Sequence, residues 1–180
     1  MVSVSYKLHL GCGNKKIHGW TNVDLREEVK PDMVCDITKL DIQEGAAEVI
    51  YACHVLEHFD KHQVTDVLKN WYKALKPGGI LRLSVPNIKA CCEYYLETGN
   101  LDQLFGLIWG GQKNPYDYHY MGFDYNSLER LCRAIGFKQF RTYDWKETEH
   151  SFIDDYSQAY LPHMDKVNGK LMSLNVEAVK

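Results

Sequence analysis

The sequence lacks an excess of charge of either sign. Its 21 Lys and Arg face 24 Asp and Glu for a formal net charge of -3, and the basic residues are scattered. Without a basic stripe no nucleic-acid partner is expected, although a small anionic ligand is not excluded. A long hydrophobic run is also missing. The longest, around Leu104-Phe105-Gly106-Leu107-Ile108-Trp109, is far too short to span a bilayer. No charged head followed by an apolar stretch marks a signal peptide. Six cysteines (Cys12, Cys35, Cys53, Cys91, Cys92 and Cys132) form no C-x-x-C pair, and several fall on apolar strand or helix positions. That pattern reads as reduced core thiols in a cytoplasmic protein. Repeats, low-complexity tracts and linkers are absent too. The 180 residues, 45% hydrophobic and 25% charged, are therefore read as one soluble domain over 1–180.

What is present alternates. Residues 6–10, 22–25, 33–36 and 47–52 read as short strands that end beside polar residues. Val64, Val67, Leu68, Trp71 and Leu75 repeat at helical spacing, so a helix is expected over 60–76, with Asp60 as N-cap and Gln63 as capping-box partner. Lys76-Pro77-Gly78-Gly79 should stop it, and residues 80–85 should form a fifth strand. A strand, a helix of that length and another strand make a right-handed crossover in a parallel sheet. Further on, helices are expected around Ile88–Leu96, Leu101–Ile108 and Leu128–Ile135, each closed by glycine. Residues 137–143 and 171–179 should be strands; in the last, Met172, Leu174, Val176 and Ala178 share one face. Residues 144–169 read as a long polar connection, of the kind that is functional or mobile.

The opening segment Leu8-His9-Leu10-Gly11-Cys12-Gly13-Asn14, followed by Val23-Asp24-Leu25, is a strand, a glycine turn and a second strand ending in a carboxylate. A parallel α/β sheet holds an adenosine-bearing cofactor with that layout. The glycines bring bare backbone close, and the carboxylate accepts from the ribose hydroxyls. A third glycine is missing, with Lys15 or Lys16 where it would fall, and only about ten residues separate Gly13 from Asp24. No room remains for a full helix whose N-terminus would bind a pyrophosphate. This spacing decides against NAD and an NAD-dependent oxidoreductase, and leaves a phosphate-free adenosine cofactor untouched.

His54, His58 and His62 recur every four residues. A strand end at His54 and a helix start at Asp60 would put them on different faces. No cysteine or carboxylate cluster nearby completes a ligand set, so no metal is expected.

Leu8-Gly11-Cys12-Gly13, Val23-Asp24, His54-Val55-Leu56-Glu57-His58 and Leu75-Lys76-Pro77-Gly78-Gly79 occur in the order seen in class I S-adenosylmethionine-dependent methyltransferases, which the chain resembles over nearly its whole length. Gly110-Gly111-Gln112, His119 and Ser173-Leu174-Asn175-Val176-Glu177-Ala178 look like the small type 11 members associated with surface-polysaccharide synthesis. The resemblance implies an α/β, Rossmann-like three-layer sandwich with a mostly parallel seven-stranded sheet whose last strand is antiparallel. It implies S-adenosylmethionine over the ends of the first four strands. Leu10, Gly11, Cys12 and Gly13 would lie by its methionine part, Asp24 and Leu25 by the ribose, Asp36 and Ile37 by the adenine, and Cys53 and His54 near the sulfonium.

Methyl transfer to a hydroxyl needs alignment and a proton acceptor, a role that suits histidine. His119, in the aromatic loop 112–124, is the first choice and His54 the second. Trp109, Gln112, Tyr118 and His119 would contact a sugar or glycan acceptor, with Tyr116 and Tyr120 beside them, because aromatic faces stack on sugar C–H surfaces. The alternatives are methylation of another small molecule at oxygen or nitrogen, and a binding module that holds the cofactor without catalysis.

Overall fold

In a computed structural model, which describes residues 6–180, the alternating segments build one seven-stranded sheet. Its strands are β1 (Tyr6–Leu10), β2 (Thr21–Asp24), β3 (Met33–Val34), β4 (Ala47–Cys53), β5 (Leu75–Pro86), β6 (Lys138–Thr142) and β9 (Ser173–Val179). The spatial order is β3-β2-β1-β4-β5-β9-β6. The pairs from β3 through β5 are parallel, and β9 runs antiparallel between β5 and β6. β7 (Tyr160–Leu161) and β8 (Lys170–Leu171) form a separate two-stranded ladder. The order reverses at β1: the chain moves out through β2 and β3, then returns to β4 on the other side of β1. Ligands of open α/β sheets bind outside the strand carboxyl ends at such a reversal.

Alternation along each strand separates two unlike faces. On one, Leu8, Leu10, Ile50, Ala52, Leu81, Leu83, Leu174, Val176 and Ala178 join α1 (Val64–Ala74) and α4 (Tyr125–Ile135) in the main core. Trp71 is fully buried there. Asp60 and Gln63 exchange the expected capping bonds, yet regular helix begins only at Val64, because residues 61–63 form a turn. The Lys76-Pro77-Gly78-Gly79 segment lies within β5, where the ladder to β4 shifts register between Ala47↔Leu75 and Val49↔Ile80. α2 (Ile88–Thr98), closed by Gly99, and α3 (Phe105–Trp109), stopped at Gly110, follow as expected from the glycines.

The other face mixes polar side chains with a small apolar cluster of Ile17, Trp20, Val49 and Tyr51, and is covered by turns and a 3-10 turn, Tyr156–Gln158. His9, Asn22, Tyr51, Arg82, Asn175 and Glu177 lie on it, all buried. The ten residues between β1 and β2 form turns, held by Asn22, which accepts from the Ile17 amide (2.8 Å) and donates to the Ile17 carbonyl (3.1 Å). The long connection 144–169 covers the rest. Tyr51 donates to Asp155 (2.7 Å), Asn175 donates to the Ser157 carbonyl (2.9 Å), and Arg82 bridges Glu177 and Glu149, each at 2.9 Å. The connection is therefore a structural layer, and it explains why the polar side of β9 is buried. Among the described residues no helix is long and apolar enough to cross a membrane, and the six cysteines are free.

Candidate functional site

The turn after β1 is built on two glycines in the left-handed region, Gly11 (φ 65°) and Gly13 (φ 50°). A Cβ on Gly11 would come within 2.5 Å of Val55 Cγ2, so this backbone packs directly on the loop that follows β4. Gly13 donates its amide to Asp24 Oδ2 at 2.8 Å, tying the turn to the end of β2. The Arg26 amide (2.9 Å) and its Nε (3.1 Å) both donate to Asp24 Oδ1. Burial raises the Asp24 carboxyl pKa, but these hydrogen bonds outweigh it and hold the group below the usual carboxylate range. The carboxylate is thus ionised and pre-positioned, with Arg26 occupying the lone pairs a ribose would use. Sequence reasoning passed over Arg26; its place two residues after Asp24 was the available signal.

The remaining expected cofactor contacts divide by exposure. Leu10 and Cys12 are buried, so only their backbone edges the turn, and burial pushes the Cys12 thiol up to about 11. Leu25 is exposed at the end of β2, an apolar surface beside Asp24. Asp36 Oδ1 accepts from the amide and hydroxyl of Thr38, so this carboxylate caps its own turn. Ile37 packs on the core and its carbonyl accepts from Trp71 Nε1 (2.9 Å). Cys53 ends β4, and burial pushes its thiol well above the usual range. These residues fit an adenosine ligand carrying no phosphate: bare backbone at two glycines, a carboxylate at the second strand end and an apolar side chain next to it.

Beyond β4 the chain makes a strained turn. His54 has φ 52°, a conformation that non-glycine residues hold only where the surroundings enforce it. Its Nε2 donates to Ser173 Oγ (2.9 Å), which in turn donates to the Tyr156 carbonyl. Nδ1 of His54 is therefore unprotonated, and it stands 3.4 Å from Glu57 Oε1. Glu57 lies in a short 3-10 turn, Leu56–His58, and is fully buried. Neither carboxylate oxygen has a hydrogen-bond partner, and burial pushes its pKa up to about 8. Burial, with His119 and His58 nearby, pushes His54 down to about 3.

The aromatic loop reaches this cluster through its backbone. Tyr120 and Met121 donate their amides to the Glu57 carbonyl (2.8 and 3.2 Å), and His119 donates its amide to the Trp109 carbonyl (3.1 Å). Gly110 and Gly111 allow the loop to close, since a Cβ on either would overlap Asp117 at 2.2 or 2.7 Å. His119 Nδ1 donates to the Leu107 carbonyl (3.0 Å), which turns Nε2 toward Glu57 Oε1 at 3.9 Å. His58 Nδ1 donates to the Tyr118 carbonyl (2.9 Å), and its ring meets His119 edge-on with centroids 4.8 Å apart. Burial lowers the pKa of both imidazoles.

His54, His58 and His119 line one cavity of about 350 Å³, together with Lys113, Asp117 and Tyr156. Gln112 and Tyr118 instead line a shallower recess of about 450 Å³ with Tyr120. Trp109 lines neither; it is exposed and leans on Phe105. His62, third in the four-residue series, is exposed on the turn before α1, and the carboxylate that sequence spacing failed to place beside these histidines is Glu57.

A family model described as "Methyltransferase domain" matches residues 12–140. No curated protein matches the sequence. Solved structures with the same fold include a SAM-dependent methyltransferase from Archaeoglobus fulgidus (TM-score 0.61, 14% identity, covering 98% of this chain and 86% of that one). An S-adenosylmethionine-dependent methyltransferase from Mesorhizobium loti superposes with TM-score 0.58 at 15% identity, covering 100% and 94%. The 1,6-didemethyltoxoflavin-N1-methyltransferase of Burkholderia thailandensis, solved with its substrate and S-adenosylhomocysteine, gives 0.57 at 16%, covering 98% and 71%. At such identities these likenesses speak for the fold.

Proposed function

This chain belongs to the methyltransferase-domain family and is an S-adenosylmethionine-dependent methyltransferase; from that premise we propose that its acceptor is a hydroxyl of a sugar or glycan. The observation that carries the proposal is the convergence of His54, His58 and His119 on one cavity beyond the end of β4, with Glu57 buried behind them. About 350 Å³ suits a single sugar ring rather than an extended polymer segment. Exposed Tyr118 and Tyr120, which line the neighbouring recess, and exposed Tyr116 offer stacking faces for further sugars.

When bound, S-adenosylmethionine supplies a methyl carbon on a cationic sulfur. The chain's part is to hold, align and deprotonate. Gly11 and Gly13 would present bare backbone to the methionine part, Asp24 and Leu25 would meet the ribose, and Ile37 would flank the adenine. The acceptor oxygen would take the methyl carbon while the C–S electron pair stays with sulfur, and His119 Nε2 would accept the hydroxyl proton, with His54 second in that role. The products are a methyl ether and S-adenosylhomocysteine.

Incubation with methyl-labelled S-adenosylmethionine and a panel of free sugars, nucleotide sugars and oligosaccharides tests the reading. Label recovered as an O-methyl sugar is the expected result. Label appearing only on nitrogen heterocycles or other small molecules would move the acceptor class, and cofactor binding without transfer to any acceptor would leave a binding module.

A further inference from the structure

We infer that Glu57, His58 and His119 form a binding site for a divalent transition-metal cation in the wall of the acceptor cavity. One ligand atom from each lies within 4.8 Å of the others. The three arrive from two separate segments: Glu57 and His58 from the turn after β4, His119 from the aromatic loop.

The hydrogen bonds decide what the cluster lacks. His58 spends its Nδ1 proton on the Tyr118 carbonyl and His119 spends its own on the Leu107 carbonyl, so each neutral ring keeps a lone pair on Nε2. His54 donates through Nε2 to Ser173, so its Nδ1, 3.4 Å from Glu57 Oε1, is also a lone pair. Glu57 adds two carboxylate oxygens, buried and without a hydrogen-bond partner. Among the described residues no lysine or arginine pairs with it; His54 and His119 are its ion-pair-range neighbours. Ring nitrogens and carboxylate oxygens without hydrogen-bond partners thus gather at Glu57, and either a proton on the carboxyl or a bound cation would satisfy them. Left unsatisfied, such an arrangement is costly.

The surroundings have the form of a ligand shell. Backbone carbonyls behind His58 and His119 fix tautomer and ring orientation, as they do for metal-bound imidazoles. Two imidazoles and one carboxylate favour zinc, cobalt, manganese or iron(II) over magnesium or calcium, and leave coordination positions open. His58 and His119 line the cavity, so the open positions face the acceptor. The cation site stands on these three side chains alone. Its use on an acceptor hydroxyl rests on the methyl-transfer reading above; there a cation held through His119 Nε2 would polarise the hydroxyl and ease loss of its proton to water, in place of the proton-acceptor part given to His119.

The test uses untagged, chelator-stripped full-length protein titrated with Co²⁺ by visible absorption and with Zn²⁺ and Mn²⁺ by calorimetry. One equivalent should bind with a ligand-field spectrum. Glu57→Gln, His58→Gln and His119→Gln should each weaken binding by roughly tenfold to a hundredfold or more, and His62→Gln should not. Far-ultraviolet circular dichroism shows which variants keep their fold, and any one of the three suffices. No saturable binding by the wild type, or binding unchanged in every folded ligand variant, overturns the site and leaves a shared proton on Glu57 as the group's partner. A thermal shift with S-adenosylhomocysteine on the same stripped protein separates the two readings: a retained shift with no cation bound sinks only this inference, and a lost shift with cation bound sinks only the methyl-transfer reading.

Discussion

Gly13 reaches across the opening turn to Asp24, its amide 2.8 Å from Oδ2, so the cofactor loop and the carboxylate at the end of β2 are one unit. Asp24→Asn keeps the shape but loses the charge that ribose hydroxyls would meet. Hydrogen bonds to a charged group are worth about 1.5–3 kcal/mol, so S-adenosylhomocysteine affinity should fall roughly tenfold to a hundredfold by calorimetry. Arg26→Ala, which frees the Asp24 lone pairs, should leave that affinity equal or better. Weaker binding in Arg26→Ala would mean that the guanidinium stays in the bound state.

Gly11→Ala should destabilise the protein even without ligand. The new Cβ meets Val55 Cγ2 at 2.5 Å, and φ 65° is unfavourable for alanine. Backbone strain and overpacking together should cost about 2–4 kcal/mol in urea unfolding. Val55→Ala in the same chain should recover part of it; no recovery would locate the cost in the backbone alone.

His119→Ala should leave S-adenosylhomocysteine affinity within about twofold and reduce methyl transfer at least about a hundredfold. The ring is tied to the Leu107 carbonyl and faces Glu57, away from the glycine turn. Unchanged turnover would remove His119 from the acceptor side.

Acid should destabilise the protein as its buried imidazoles, His54 beside Glu57 and His150 on the polar face of the sheet, take up protons. Burial, and then the Arg82 charge, push His150 down to about 4, so it is neutral in the fold and protonates more readily in the unfolded chain. Its contribution is complete above the ordinary 6.5 and declines as pH falls from there toward about 4. The loss should be on the order of 2 kcal/mol. Burial raises Glu149, but the Arg82 hydrogen bond and charge, a backbone hydrogen bond and His150 together outweigh it and bring the group down to about 2, adding a smaller, water-screened loss between pH 4.5 and about 2. Melting temperature followed from pH 8 to 4 should fall, and His150→Gln should flatten that slope.

Tyr51→Phe should loosen the 144–169 layer rather than the sheet. It removes the 2.7 Å bond to Asp155 and should cost about 1–3 kcal/mol, with amide exchange rising around residues 153–158 while β4 stays protected. Exchange rising through β4 as well would show that the layer and the sheet unfold together.

Local signals made most of the fold legible. The Gly11 turn, the apolar spacing of α1, the glycines after α2 and α4 and the alternation of β9 are all written over a few neighbouring residues. Leu75–Gly79 was read as a turn because Pro77-Gly78-Gly79 is turn chemistry; the neighbouring β4 drew it into a ladder with a register shift. Local geometry was legible where neighbouring residues set it, as in the turn that ends at Asp24, and obscure where distant segments meet. That Glu57 is fully buried beneath His119, 62 positions later, depends on how loop 110–123 folds back through the Glu57 and Trp109 carbonyls. Asp36 shows the converse. A local rule, an aspartate bonding two residues on, describes the side chain as found.

The irregular layer over the polar face has one further consequence. Its Asp155 and Ser157 are pinned to β4 and β9, and its Tyr160, His163 and Met164 help wall the acceptor cavity. The segment is thus anchored to the sheet at one end of the layer and walls the cavity at the other. If the cavity holds the acceptor as proposed, exchanges at the cavity-lining His163 and Met164 would alter which molecule fits without touching the bonds that pin Asp155 and Ser157 to the sheet.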